Sequence, residues 1–409
     1  MRKTTLLAGV AAIGLAAAIS APAMAQVTAF EGARVIVGDG SPAIENATVI
    51  VEAGKIVRVG RGAGISVPAG ATRVNVSGKT IMPTIVDSHV HLNTTRDAII
   101  RDLKQRAYFG ISAAQSMGTD GYQNLGLRHE NIPGAARFYA AGRGITRPEM
   151  GRTTIPYWIN NEADGRNAVK ELAANNVDIV KVWVDDRNGM FEKVTPAQYA
   201  AIADEAHKNG MRVIAHIFNL DDGKGLLRAD FDAFAHGVRD KDVDEEYMTL
   251  IRQHPNVVVN PNLPDRGRKT DVSWLKASLP AAAYAKVEEE NVDDARQQTA
   301  HGIQARNLAK IVAAGVKVVV GTDGNTPYAP HVEMEDMQLA GMTPMQVIVA
   351  ATKQSAEFVR IPDSGTIEPG KRADLLVLDA NPLDDIKNTR KISAVYLNGV
   401  ALDRSRYPQ

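Results

Sequence analysis

Between residues 81 and 359 the chain alternates short, mainly apolar runs with longer stretches of good helix formers, and this alternation restricts the fold more than any other feature of the sequence. The runs fall at 81–87, 111–116, 136–141, 177–184, 211–217, 231–236, 257–260 and 316–321. Most neighbouring positions in them are both apolar, the pattern of strands covered on both faces, where a half-buried strand would alternate apolar and polar positions. The segments between them, such as 167–174 and 198–208, carry good helix formers, and Asn209-Gly210 supplies a C-terminal stop. Eight such units predict an α/β fold, a (β/α)8 TIM barrel over 81–359. A doubly wound open sheet is the rival architecture, but its G-x-G-x-x-G fingerprint after the first strand is absent.

The flanks read differently. Branched runs at 33–37, 47–51 and 55–59 are punctuated by Gly and Pro and are too few to close a domain. Matching runs at 374–378 and 392–397 lie near the other end, the second leading into the turn pair Asn398-Gly399. Residues 26–80 and 360–409 are therefore expected to meet as one small composite β-sandwich. Residues 1–25 have the layout of a signal peptide: Arg2 and Lys3, an apolar run over 6–19, then Ala23-Met24-Ala25. Cleavage after Ala25 would export the protein to the periplasm or the medium, and no later run is long and apolar enough to span a bilayer. Lys plus Arg equals Asp plus Glu at 47 each, which leaves no charge excess to hold a nucleic acid or an anionic membrane. Small molecules or short peptides are the expected partners. The chain has no cysteine, so any metal must be held by His, carboxylate or a modified Lys.

Residues of those types gather at the C-terminal ends of the expected strands, the face on which barrel enzymes build their sites. The first strand ends in His89-Val90-His91, and strand alternation sends positions i and i+2 to the same side. The fifth and sixth strands end at His216 and His236. One histidine alone would more often be a satisfied core residue, but four on three strand ends each need a hydrogen-bond partner or a cation. The eighth strand delivers Asp323 after an apolar run, where a carboxylate is costly unless paired or coordinated. Lys181 interrupts the otherwise apolar VDIVKVWV. It could snorkel to the rim or pair with Asp185 or Asp186. Buried, it would lose its proton, and a neutral amine can take up carbon dioxide to become a carbamate able to bridge two cations.

His89 and His91, Lys181, His216, His236 and Asp323, with the opening β-segment feeding MPTIVDSHVHL and the late SGTIEPGKRADLLVLD, resemble the complete ligand set and flanks of the binuclear amidohydrolase superfamily. Gly365, Gly370 and Asp374 stand in the usual phrase, and the resemblance spans nearly all of the mature chain. One departure is Pro83-Thr84, where a glycine commonly follows the proline; it touches no ligand. Within the superfamily the chain is most similar to the imidazolonepropionase-like and prolidase-like branch.

The resemblance implies that His89, His91 and Asp323 hold a buried divalent cation, His216 and His236 an outer one, and carboxylated Lys181 both. Two such ions about 3.5–4 Å apart can share a bridging hydroxide, with Asp323 as the catalytic proton carrier. Ligands without sulfur suit zinc first, then manganese, cobalt or iron. The implied reaction is hydrolysis of a carbon–nitrogen bond, in a dipeptide or an N-acyl amino acid for example, by a homo-oligomer. A lactonase or esterase would use the same ions. A mononuclear deaminase dispenses with the lysine and usually has Glu where this chain has Asn219, and a non-catalytic relative would be expected to have lost ligands. Arg187, Tyr157, Arg143 and His331 are candidate substrate contacts. For Arg187, a solvated turn with an internal Arg–Asp pair is the competing reading.

Overall fold

The computed structural model describes residues 26–408 except 152, 264 and 265; the expected leader at 1–25 lies outside the described residues. Inside the chain, parallel strands form two arcs. Ile85–Val90, Ile111–Ser116 and Arg137–Ala140 make a three-stranded sheet. Tyr157–Trp158, Ile145–Thr146, Val180–Trp183, Val213–His216, Ala233–Ala235, Val258–Asn260 and Lys317–Val318 make a seven-stranded one, in that spatial order. The arcs touch on both sides. Ser88 N donates to Val320 O at 2.9 Å and Val90 bridges Gly324, while Asp178 N donates to Ala140 O at 3.0 Å. Each strand expected from the sequence has a counterpart, and two short ones, at 145–146 and 157–158, are inserted after the third.

Alternation along these strands sorts the side chains into two populations. Val180, Val182, Val213 and Ala215 pack outward against Leu172, Ile202 and Leu226 of the flanking helices. Ile179, Ile214, Ala233, Ala113 and Val86 turn inward to a separate core of mostly small residues. A fully buried aliphatic side chain stabilises by about 1.5–3 kcal/mol, so the outer layer binds each helix to its strand. Lys181 and Trp183 share the inward phase of Ile179, and His216 that of Ile214. Local signals hold the helices in register. Pro196–Lys208 opens on a capping box of Thr195 and Gln198 with Pro in its first turn, and Gly210 follows it with φ +68°.

The expected first strand, 81–87, divides in two. Thr80–Pro83 pairs antiparallel with Leu375–Leu378 and parallel with Val27–Val35, and Ile85–Val90 starts the parallel series. Pro83 has no N–H with which to continue a ladder, and at Thr84 the chain changes partners, so the boundary falls there. Strands from both ends share one eight-stranded sheet over a core of Phe30, Val49, Ile56, Ile81, Leu375 and Val377. No described helix is long and apolar enough to cross a membrane.

Candidate active site

The inward phase carries His89, Lys181 and His216 to one end of the parallel strands. His91 follows directly on Ile85–Val90 and His236 on Ala233–Ala235, and Asp323 lies five residues beyond the end of Lys317–Val318. They converge there. Asp323 Oδ1 lies 3.2 Å from His89 Nε2 and 3.0 Å from His91 Nε2, and its Oδ2 lies 3.3 Å from His236 Nε2. Lys181 Nζ reaches His89 Nε2 at 3.1 Å, and the His216 and His236 rings are 4.5 Å apart. Donor atoms of His89, His91 and Asp323 lie within 4.8 Å of one another, a group able to hold a metal ion.

Neighbouring groups set the ring tautomers. His89 Nδ1 meets Asn262 Oδ1 at 2.9 Å, and an amide oxygen only accepts, so Nδ1 carries the proton and Nε2 presents its lone pair inward. His216 Nε2 donates to Asp185 Oδ2 at 3.1 Å, which leaves Nδ1 as its lone-pair nitrogen. His91 Nδ1 lies 3.2 Å from Thr119 Oγ1. Such partners fix ring orientation around metal sites.

Burial governs the protonation states. Lys181 is fully buried, and desolvation, aided by the charges of Arg187 and Arg239, brings its ammonium down to about 7. Desolvation likewise lowers His89 to about 3 and His216 to about 4, and holds His236 well below the usual imidazole value. Burial would raise Asp323, but His236 and His89 beside it hold the carboxylate well below its usual range. Near neutral pH His89, His216 and His236 are therefore neutral imidazoles, beside a carboxylate and a readily deprotonated amine.

That donor set fits divalent cations. His236 is 1% exposed, yet its Nδ1 has no hydrogen-bond partner among the described residues and its Nε2, though 3.3 Å from Asp323 Oδ2, is not aligned for a hydrogen bond, a loss of about 1–3 kcal/mol that a cation would recover. His236 and Asp323 also hold left-handed backbone, φ +76° and +52°, which non-glycine residues keep where the site requires it.

A cavity of about 320 Å³ opens beside the cluster, lined by His91, Thr119, Glu149, Trp183, Arg187 and Asp323 among others. The Trp183 indole stacks on His91 with 6.4 Å between centroids. A Cβ at Gly144 would lie 2.1 Å from Trp183 Cζ3, and one at Gly118 2.6 Å from Cη2, so glycine at these positions makes room for the ring.

Of the candidate substrate contacts, Arg187 lines the cavity with its charge engaged: Nη1 lies 2.6 Å from Asp185 Oδ2 and Nε 3.2 Å from Glu149 Oε1. Asp185 thus pairs with Arg187 and His216 and not with Lys181. Tyr157 and Arg143 are not among the residues that line the cavity; they stack on each other at 3.8 Å, and the Tyr157 hydroxyl meets that of Tyr122 at 2.6 Å. His331 is removed altogether. It is buried with Nδ1 3.0 Å from Thr389 Oγ1 and Nε2 2.8 Å from Phe109 O, so neither nitrogen is left for a substrate. It lies in the first turn of the helix Ala329–Leu339. Sequence reasoning missed Trp183, although it stands two residues after Lys181 in the same strand phase. It also missed Asn262, Thr119 and Glu149, which lie in loops.

Parallel strands that gather neutral imidazoles, a lysine and a carboxylate at their ends, beside a cavity, define a class of hydrolase that works with bound metal. The chain belongs to the amidohydrolase family, whose model matches residues 80–402, and to its imidazolonepropionase- and prolidase-like branch; it is a hydrolase of carbon–nitrogen bonds. It is 24% identical to an imidazolonepropionase of Shouchella clausii over 411 residues, covering 88% of each chain. It is 24% identical to an ochratoxinase of Aspergillus niger over 432 residues, covering 91% of this chain and 85% of the relative. A Bifidobacterium longum structure provisionally assigned as a prolidase superposes with a TM-score of 0.77 at 25% identity, over 95% of this chain and 97% of the other.

Proposed function

We propose that the protein hydrolyses the amide bond of a dipeptide or N-acyl amino acid, using two divalent cations, zinc foremost. The observation that carries this reading is Lys181, fully buried, brought down to about 7 and 3.1 Å from a ligand-type imidazole. A purely structural lysine would be an expensive choice there. Its neutral Nζ can attack carbon dioxide, forming the N–C bond and releasing one proton, to give a carbamate with two oxygen donors. His89, His91 and Asp323 would hold one ion, His216 and His236 the other, and the carbamate both. When bound, the ions supply Lewis acidity to the substrate carbonyl and lower the pKa of water.

The protein's own groups do the rest. Asp323, one-third exposed to the cavity, accepts the proton of the attacking water and returns it to the departing amine nitrogen. Asn262 and Asp185 hold His89 and His216 in their tautomers, and Thr119 holds the His91 ring in its orientation. Trp183 closes one wall and limits the water that reaches the cluster. In this reading the two arcs close as one (β/α)8 barrel capped by the composite terminal β-sandwich, and the enzyme is a homo-oligomer exported to the periplasm or the medium after loss of residues 1–25.

The test is metal content per chain of the mature protein prepared with bicarbonate, beside Lys181→Ala, followed by a panel of dipeptides, N-acyl amino acids and lactones. Two ions per chain, fewer in the variant, with turnover of the amides, is the expected result. One ion unaffected by the substitution would overturn the binuclear reading, and turnover confined to lactones would overturn the amide assignment.

A further inference from the structure

The strand Val258–Asn260 and the turn after it carry none of the six ligand-type residues, yet they reach His89 and His236. Asn260 O accepts the His236 N–H at 2.8 Å, and Asn260 Nδ2 donates to the hydroxyl of Ser88, the neighbour of His89, at 2.8 Å. Two residues on, Asn262 Oδ1 accepts from His89 Nδ1 at 2.9 Å. Asn262 does so from left-handed backbone, φ +40°, which a non-glycine residue keeps only where its surroundings hold it.

Two outer helices do the holding. On Ala295–Ala313, Gln304 is buried, and its Nε2 donates to Pro261 O and, at 3.2 Å, to Asn262 O. On Ala329–Leu339, Glu333 is also buried, and its two oxygens accept the Leu263 N–H at 3.0 and 3.2 Å. Among the described residues these three backbone groups have no backbone partner, so side chains from outside the sheet complete the turn. Gln304 Oε1 has no hydrogen-bond partner among the described residues, so an amide buried here carries a cost that an apolar side chain would avoid. What it gains in return is its grip on the turn.

We propose that Gln304 and Glu333 are positioning residues for the metal centre. Through the turn at 261–263 they hold the Asn262 amide against His89, and so fix the nitrogen that His89 presents to the cluster and the firmness with which the ring is held. Neither residue lines the cavity beside the cluster, so substrate contacts play no part in their role. The proposal rests on the metal-binding reading above and deepens it: retention of an ion at His89 depends on two helices that carry none of its ligands.

The experiment measures zinc retention against a chelator, and exchange of the His89 Nδ1 proton by NMR of histidine-labelled protein, in Gln304→Met, Glu333→Leu, Glu333→Gln and Leu308→Ala. Gln304→Met and Glu333→Leu should weaken retention about 10–100-fold, the scale of losing an outer partner of a ligating histidine, and should speed exchange of the His89 proton. Glu333→Gln keeps an acceptor for the Leu263 N–H and should recover most of the loss. Leu308 is buried in the apolar core on the same helix as Gln304, so Leu308→Ala loosens the helix without touching the turn and should retain metal as the wild type does. Wild-type retention with an unmoved His89 proton in Gln304→Met overturns the proposal. So does an equal loss of metal in Leu308→Ala, because retention would then follow helix stability. Should Gln304→Met fail to fold, Gln304→Asn, which withdraws the amide by one methylene, takes its place under the same criteria. If the wild type binds no metal, the proposed function fails, while the His89 proton in the metal-free protein still decides what Gln304 does.

Discussion

His89, Lys181 and His236 sit on or directly after strands and are at most 1% exposed, whereas Arg187 and Glu149 come from the loops above them and line the cavity. The first group is held by the sheet itself. Each side chain's direction follows from strand alternation, and ladder hydrogen bonds fix its backbone. The second group is held by side chains alone, as in the Glu149–Arg187–Asp185 chain that ends on His216. The floor of the site is therefore a property of the fold, and the rim is a property of this particular chain. Chemistry should fail when the floor is altered, and selectivity when the rim is.

The largest effect should come from Asp323→Asn. It removes the proton carrier and one oxygen donor while keeping size, so kcat should fall by about 10²–10⁴-fold on every substrate. Steady-state kinetics on several amides checks this. A loss confined to some substrates would move Asp323 from the floor to the rim.

Asp185→Asn tests where the two regions meet. The amide can still accept the His216 N–H, but it no longer fixes the tautomer by charge or neutralises Arg187. Loss of an outer carboxylate of this kind costs about 10–100-fold in metal affinity or activity. Competition of the variant against a chelator measures it. Retention equal to the wild type would show that His216 needs no support from the rim.

Steric change at the wall gives a smaller effect. Gly144→Ala would place a methyl 2.1 Å from Trp183 Cζ3, so the indole must leave its place against His91. Overpacking of this kind costs about 1–3 kcal/mol, and denaturant unfolding should show it. Trp183→Phe in the same background should recover part of the loss. If it does not, the strain lies in the backbone and not against the ring.

The same division explains what could be read from the sequence. His89, His91, Lys181, His216, His236 and Asp323 were legible because a polar residue in an apolar strand run has few explanations, and period-two alternation states which way it faces. The step from the strand end to His331 had no such rule behind it, since a loop intervenes and His331 lies in the first turn of the helix that follows, where it meets Thr389 and Phe109 O. Tyr157 and Arg143 were placed in the correct loop, but that loop folds back into two short strands and turns them onto each other. The boundary at Pro83-Thr84 was missed for a related reason: the apolar run continues unbroken through the point at which its hydrogen-bond partners change.

The smallest effect concerns Asp120, a buried carboxyl in the loop after Ile111–Ser116 that is not one of the ligand-type residues. Its Oδ1 accepts from Ser116 Oγ at 2.8 Å, its Oδ2 has no partner among the described residues, and desolvation raises it to about 7. The unfolded chain would release this proton near pH 4, so between pH 4 and 7 the folded state binds a proton that the unfolded state has lost. Stability from this group therefore falls as pH rises through that window, and above about pH 7 the folded protein carries the full cost of a buried anion. Asp120→Asn removes the titration while preserving the acceptor toward Ser116. The variant should be more stable than the wild type at pH 8, by about 1–2 kcal/mol once relaxation and water entry are allowed for, with the gap closing toward pH 4. Urea unfolding of both proteins at pH 5 and pH 8, at one fixed metal concentration, measures the difference. A gap that is the same at both pH values would mean that Asp120 is solvated in solution, and that the enclosure of the floor does not extend to this loop.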